Sequence, residues 1–130
     1  MNGSSAALDT NVAIAINNNQ AAAVNWVRGV NHIYLPVPVL AELIFGALNS
    51  RDVSANRGRV ADLASRCALL GIDPQTAEAY ATLRMALRKL GKPIPDNDLW
   101  IAALCVQHAV PLCTLDMHFA DVPGLITVSP

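Results

Sequence analysis

The sequence predicts an α/β fold with three layers, in which helices cover both faces of a central, mostly parallel sheet of about five short strands. Short apolar runs alternate with longer segments whose apolar residues recur at helical spacing, and this alternation is typical of parallel sheets. Residues that favour turns or helix caps separate these segments. A length of 130 residues suits one domain with one core, so we expect residues 1–130 to form a single domain.

In the first half of the chain, two predicted strands alternate with four predicted helices. The first strand is the apolar run that ends at Leu8. The second covers residues 33–35 and ends at Pro36, because proline cannot donate to a strand ladder. The predicted helices cover residues 12–16, 20–30, 38–48 and 53–66. Pro38 suits the first turn of the third helix.

In the second half, three predicted strands cover residues 68–72, 110–114 and 125–128. Asp73 and Pro74 open a helix over residues 75–90, and Gly91 is a natural C-terminal cap for it. After an extended connector over residues 92–95, we expect Asp96 or Asn97 to cap a helix that ends near residue 107 or 108.

The overall charge is uninformative, but its distribution is not. A net charge of −1 and a pI near 6.2 do not indicate a nucleic-acid-binding protein. Every Lys and Arg lies between residues 28 and 92, and every formal charge after Lys92 is an acid. Basic helices around an acidic centre would suit metal-assisted cleavage of a polyanion. Ordinary solvated helix faces are the better explanation for most of these charges.

The composition also bears on partners and compartment. The hydrophobic fraction of 53% and mean hydropathy of +0.35 indicate either apolar surface left for a partner or second copy, or an Ala-rich core. Three cysteines without metal-type spacing predict buried free thiols in a reducing cytosol. The first five residues show no secretory signal, and the longest apolar run is interrupted by Pro36, Pro38 and Glu42. We therefore expect a cytoplasmic protein with no membrane segment.

Two acids follow predicted strands. Asp9 is the only charged side chain between Met1 and Val27, and it lies between the first strand and a helix start. Asp116 follows the fourth predicted strand, where a simple turn aspartate is the alternative. The carboxyl ends of parallel strands form the edge at which ligands bind in open α/β sheets.

Two further acids lie in predicted helices. Glu42 is the only charge between Ile33 and Leu48, and we expect it on a largely apolar helix face, although it could be the exposed residue of an amphipathic helix. Asp98 lies in a first helical turn, where an acid is also favoured for purely local reasons. It shares a face with the apolar Ile101, whereas Asp96 lies off that face and resembles a cap.

Taken together, these four acids predict a divalent-cation site. No Lys or Arg lies next to any of them in sequence. Clustered carboxylates repel one another unless a cation neutralises them, and such hard oxygen ligands select Mg²⁺ or Mn²⁺ over zinc.

The same residues resemble the PIN-domain ribonucleases, and most closely the small toxins of the VapC type. The resemblance covers nearly the whole chain. It rests on Asp9-Thr10-Asn11, the lone Glu42, Asn97-Asp98-Leu99-Trp100-Ile101-Ala102-Ala103 and Thr114-Leu115-Asp116-Met117-His118-Phe119. One departure is Met117-His118, where many relatives carry another acid; this leaves open whether a second metal is held.

The resemblance implies an endoribonuclease that uses Mg²⁺, for which Mn²⁺ can substitute. Asp9 and Asp98 would be the main metal ligands, Asp116 would support the metal directly or through water, and Glu42 would complete the site or orient the attacking water. Thr10, Asn11 and Thr114 would supply supporting hydrogen bonds. The three histidines do not cluster in sequence with the acids, so core or surface roles are expected for them.

The resemblance also implies partners. The substrate is RNA, and a small antitoxin holds such toxins inactive by laying its C-terminal segment in the acidic groove, often with an Arg near the metal. A homodimer or a toxin–antitoxin hetero-oligomer is expected.

Two rival functions remain open at this point. One is a catalytically silent PIN-like module that binds RNA or protein, although all four acids are intact. The other is a phosphoryl-transfer enzyme with Asp9 as nucleophile, which would need a second acid where Asn11 stands.

Overall fold

The computed structural model describes residues 4–130, and its centre is a five-stranded sheet in which every pairing is parallel. The strands are β1 (Ser5–Leu8), β2 (His32–Pro36), β3 (Ala68–Leu70), β4 (Leu112–Cys113) and β5 (Thr127–Val128). Their order across the sheet is β3-β2-β1-β4-β5, so β1 is the central strand. The predicted parallel α/β fold is confirmed.

Six helices cover the sheet. They are α1 (Thr10–Asn17), α2 (Ala21–Arg28), α3 (Val37–Leu48), α4 (Val53–Ser65), α5 (Pro74–Leu90) and α6 (Asp96–Gln107). The chain moves outward from β1 to β3 and then returns across the sheet to β4. Because parallel crossovers are right-handed, α1 to α4 cover one face and α5 and α6 the other. In agreement, α1 and α4 pack against α3, and α5 packs against α6.

The last two strands are shorter than predicted. β4 begins at Leu112 because Pro111 accepts a hydrogen bond from the Ala7 backbone N–H at 2.8 Å but has no N–H of its own. β5 is an edge strand of two residues. The carboxyl ends of β1 and β4 lie side by side because Leu8 pairs with Cys113.

Between β3 and β5, one local prediction is wrong and one element was not predicted. Neither Asp96 nor Asn97 caps α6; the cap residue is Pro95, whose side chain accepts no hydrogen bond. The Asp96 carboxylate accepts a hydrogen bond from the Tyr80 hydroxyl instead. A 3₁₀ turn at Met117–Asp121, which the sequence pattern did not predict, follows β4.

The core is rich in small side chains, as one of the two compositional alternatives predicts. Ala7, Ala13, Ala102 and Ala103 are fully buried, which lets helices approach the sheet closely. The 3₁₀ turn contributes Phe119, the largest fully buried side chain. Large apolar side chains also remain on the surface, as the other alternative predicts. They include Phe45, Leu48, Leu115 and Met117.

The cysteines and the helix lengths agree with the sequence interpretation. All three cysteines are free thiols; Cys105 and Cys113 are buried, and Cys67 is half-buried. Burial raises the pKa of the Cys105 and Cys113 thiols to about 12, and the charge of Asp9 adds to the effect. Within residues 4–130, no helix has the length and apolar character needed to cross a membrane.

Candidate metal centre at the carboxyl edge of the sheet

Asp9 is the most buried of the candidate acids, with only 4% of its surface exposed. It directly follows β1, and its side chain caps α1: Oδ1 accepts a hydrogen bond from the Thr10 backbone N–H at 2.8 Å. Oδ2 accepts a second hydrogen bond from the Thr114 hydroxyl at 2.6 Å. Both oxygens are therefore held in place.

The loop after β4 is tied to the start of α1. Thr114 Oγ1, which donates to Asp9, also accepts a hydrogen bond from the Asp116 backbone N–H at 2.9 Å. Asn11 Oδ1 accepts from the Leu115 backbone N–H at 3.5 Å, a long contact. Thr114 and Asn11 thus connect Asp9 to the segment that carries Asp116.

Asp98 lies in the first turn of α6, and its position agrees with the predicted face. Ile101, Ala102 and Cys105 are buried, while the Asp98 side chain retains 20% exposure at the sheet edge. Its Oδ2 lies 2.5 Å from His118 Nε2. The other imidazole nitrogen, Nδ1, lies 2.9 Å from Asp116 Oδ1.

His118 therefore lies between two of the candidate acids in space, although it does not cluster with them in sequence. Asp116 caps the 3₁₀ turn by accepting a hydrogen bond from the His118 backbone N–H at 3.1 Å. This cap folds the chain so that the imidazole lies beside the Asp116 carboxylate. The spacing Asp116-Met117-His118 after a strand was the available signal, because an aspartate commonly accepts from the backbone two residues on.

Glu42, on α3, differs from its prediction. Its side chain is exposed, so the expectation of an acid on a buried helix face is wrong. The alternative, in which Glu42 is the exposed residue of an amphipathic helix, agrees with this exposure. It is nevertheless not isolated, because Glu42 Oε1 accepts a hydrogen bond from the Asn97 side-chain amide of α6. Asn97 was expected as a helix cap and as part of the motif that resembles the PIN-domain ribonucleases, and its contact with Glu42 was not expected. Its position beside Asp98 is the feature of the sequence that could have identified it.

The pKa values of Asp9 and Glu42 place the four acids in one electrostatic neighbourhood. Burial raises the pKa of Asp9 above its ordinary 3.8, and the charges of Asp98 and Asp116 add to this; hydrogen bonds from Thr114 and Thr10 oppose it. Although the Glu42 side chain is exposed overall, partial desolvation of its carboxylate raises its pKa above 4.5, and the charges of Asp98 and Asp9 add to this. The nearby Thr10 hydroxyl and the Asn97 amide oppose that rise.

The composition of this edge fits a divalent cation. Within residues 4–130, the Lys and Arg ion pairs are Arg66–Asp62 and Lys92–Asp121, so none neutralises the four acids. The Thr10 hydroxyl oxygen is buried and has no partner of acceptable hydrogen-bond geometry among these residues. Carboxylates that lack a Lys or Arg partner, beside a buried hydroxyl, suit hard cations such as Mg²⁺ or Mn²⁺.

Several known proteins resemble this chain over most of its length. The model of the PIN domain family matches residues 6–125. Ribonuclease VapC4 of Mycobacterium tuberculosis is 34% identical over an alignment of 136 positions, which covers 99% of each chain. Ribonuclease VapC5 of the same organism is 32% identical and is matched over 93% of this chain and 90% of its own.

Solved structures resemble the whole chain. VapBC2 from Rickettsia felis, bound to a DNA fragment from its promoter, contains a chain with a TM-score of 0.89 and 28% identity, over 96% of this chain and 98% of that one. DNA-bound VapBC from Salmonella typhimurium contains a chain with a TM-score of 0.86 and 26% identity, over 97% of this chain and 98% of that one. This chain therefore belongs to the PIN-domain family and, within it, to the VapC ribonucleases.

Proposed function

We propose that residues 1–130 form one PIN domain that acts as a metal-dependent endoribonuclease, the toxin of a type II toxin–antitoxin pair. Family membership supports the hydrolysis of RNA. The observation that carries the metal dependence is the meeting of Asp9 with Asp98 and Asp116 at one edge of the sheet, without a Lys or Arg counter-charge within residues 4–130.

Asp9 and Asp98 are the main ligands in this proposal, for Mg²⁺ or in its place Mn²⁺. Two hydrogen bonds fix the Asp9 carboxylate before any ion arrives, which lowers the cost of ordering the site. Asp116 supports the metal directly or through water. Thr10, Asn11 and Thr114 are supporting groups, of which Thr114 orients Asp9 most directly.

The chain supplies positioning and proton transfer. A divalent ion, when bound, lowers the pKa of coordinated water and neutralises charge that builds up on the phosphate. Glu42 Oε1 is held by Asn97, which leaves Oε2 free to orient the attacking water and to accept its proton. The water attacks phosphorus in line and the 3′ oxygen leaves, so no Ser or Cys nucleophile is needed.

The proposal includes partners and a location. The neighbours in structure are VapBC assemblies, and their antitoxins support a cognate antitoxin for this chain. Exposed Phe45, Leu48 and Met117 offer apolar surface for an antitoxin or for a second copy of the toxin. We place the protein in the cytoplasm, where RNA is available and free thiols persist.

The test is cleavage of purified RNA with Mg²⁺ and with excess chelator, followed by analysis of the new ends. We expect cleavage only with metal, leaving 5′-phosphate and 3′-hydroxyl ends, and no cleavage by Asp98→Asn. Cleavage that persists in chelator, or ends that carry 2′,3′-cyclic phosphate, would contradict the proposal. Saturable RNA binding without cleavage would instead support the rival binding module.

A further inference from the structure

Asp98, Asp116 and His118 form a compact group of potential ligands. Each offers one atom, and these atoms all lie within 4.8 Å of one another. None is fully buried, so an ion can reach them from solvent. The inference that follows rests on the metal centre of the proposed function, and it adds a residue that the four acids do not include.

The fold fixes the His118 ring from two sides. Its backbone N–H is bonded to Asp116, and the next residue, Phe119, is fully buried in the core. The imidazole also contacts the Phe119 ring, with centroids 5.3 Å apart. With the backbone anchored in this way, the side chain is directed at the acids, although 37% of it remains exposed.

The two ring nitrogens have different neighbours. Nε2 lies against Asp98, one of the proposed main ligands, and Nδ1 lies against Asp116. A histidine that binds a metal through one nitrogen commonly donates its other N–H to a carboxylate, which fixes the ring's tautomer and orientation. Asp116 is placed to be that carboxylate.

We propose that His118 is a ligand of this metal centre through Nε2, beside Asp98, and that it shifts the site's preference from Mg²⁺ toward Mn²⁺. Mg²⁺ favours oxygen ligands and retains its waters, whereas imidazole nitrogen suits transition metals better. A site made only of carboxylates lacks this bias. Asp116 then acts on the metal partly by orienting His118.

Pulsed electron paramagnetic resonance of the Mn²⁺-loaded protein tests the ligand directly. We expect modulation from a directly bound ¹⁴N nucleus in the wild type, and we expect labelling with ¹⁵N-histidine to replace it with the ¹⁵N pattern. The labelled wild type needs no substitution, so a folding defect cannot obscure the result. His118→Gln should lose the modulation. His108→Gln is the matched control, because His108 is exposed at the far end of α6.

Competition between the two ions tests the preference. We expect His118→Gln to lower the affinity for Mn²⁺ relative to Mg²⁺ by roughly 10- to 100-fold. His118→Asp, which replaces the nitrogen ligand with an oxygen ligand, should keep metal binding but lose the nitrogen signal and the preference for Mn²⁺.

The outcomes separate this inference from the proposed function. If the wild type binds Mn²⁺ without nitrogen modulation, or if His118→Gln leaves the ratio of the two affinities unchanged, His118 is not a ligand while the metal centre stands. If the wild type binds neither ion, the metal centre itself is wrong.

Discussion

Asp9 and Asp73 do the same local task in very different surroundings. Each carboxylate caps a helix and accepts a hydrogen bond from the backbone of its first turn, at 2.8 Å for Asp9 and 3.0 Å for Asp73. Each also contacts a threonine hydroxyl, Thr114 in the first case and Thr76 in the second. Asp9 is buried and its pKa is raised, whereas Asp73 is exposed and hydrogen bonds from Thr76 and Gln107 lower its pKa.

The difference comes first from burial, which raises the pKa of Asp9 and is slight at the exposed Asp73, and then from the residues that α6 brings to each cap. The first turn of α6 places Asp98 near Asp9, and its last residue, Gln107, donates a side-chain hydrogen bond to Asp73 at 2.9 Å. An acid receives a like charge in one place and a neutral amide donor in the other. Capping geometry alone therefore does not distinguish the two carboxylates; burial and the charges of neighbours distant in sequence do.

The largest expected contrast is in catalysis. Asp9→Asn should lower the rate of RNA cleavage by at least about 10²–10³-fold, because it removes a proposed metal ligand. Asp73→Asn should change the rate less than about twofold, in the range of a surface substitution. The measurement is the initial rate on one RNA at saturating Mg²⁺. Equal losses in the two variants would show that Asp9 is only a cap.

The two threonines give a second contrast. Thr76 is fully buried and its hydroxyl completes the capping box of α5, so Thr76→Val should lower the free energy of unfolding by about 1–2 kcal/mol and leave metal binding intact. Thr114→Val frees an Asp9 oxygen and should weaken Mn²⁺ binding by about tenfold. Urea unfolding and metal titration of both variants measure these effects. Unchanged Mn²⁺ affinity in Thr114→Val would remove Thr114 from the supporting groups.

The smallest contrast concerns pH in the absence of metal. The raised pKa of Asp9 means that the folded state holds its proton more tightly than the unfolded state. With chelator present, Asp9 should therefore make the protein less stable as pH rises above about 3.8, until the folded-state pKa is passed. Asp9→Asn should lose less stability as pH rises. At pH 7 its free energy of unfolding should equal that of the wild type or exceed it by up to about 1 kcal/mol.

Asp73 should behave in the opposite way. Its lowered pKa contributes stability that is present above 3.8 and is lost as pH falls through the folded-state value. Thermal unfolding between pH 3 and 8 compares the three proteins. A wild type that loses no more stability than Asp9→Asn as pH rises would mean that burial and the neighbouring acids do not raise the pKa of Asp9.

The sequence predicted those features that depend on nearby residues. Each strand and helix was anticipated in order, because turn residues such as Gly91 mark the boundaries; Gly91 has a positive φ of 68°. β4 was predicted too long because Pro111, which has no backbone N–H, was counted as part of the apolar run. Asp9 stood out as a lone charge between apolar runs, whereas its role as a ligand stays a prediction.

The parts of the site that were missed depend on contacts distant in sequence. His118 lies 20 residues from Asp98, and Asn97 lies 55 residues from Glu42, so no local pattern joins either pair. The exposure of Glu42 was also misjudged. Its helix is apolar on most sides, so periodicity does not show which face is exposed. The packing of the neighbouring α6 decides that.

The most direct test of the central claim is the change in unfolding free energy when Mg²⁺ or Mn²⁺ is added to chelated protein. A ligand that binds only the folded state stabilises it by about 2.7 kcal/mol at 100 times its dissociation constant. We expect a gain of this order for the wild type and for Asp73→Asn, and a much smaller gain for Asp9→Asn and Asp98→Asn at the same ion concentration. A wild type that gains no more than Asp9→Asn would contradict the account.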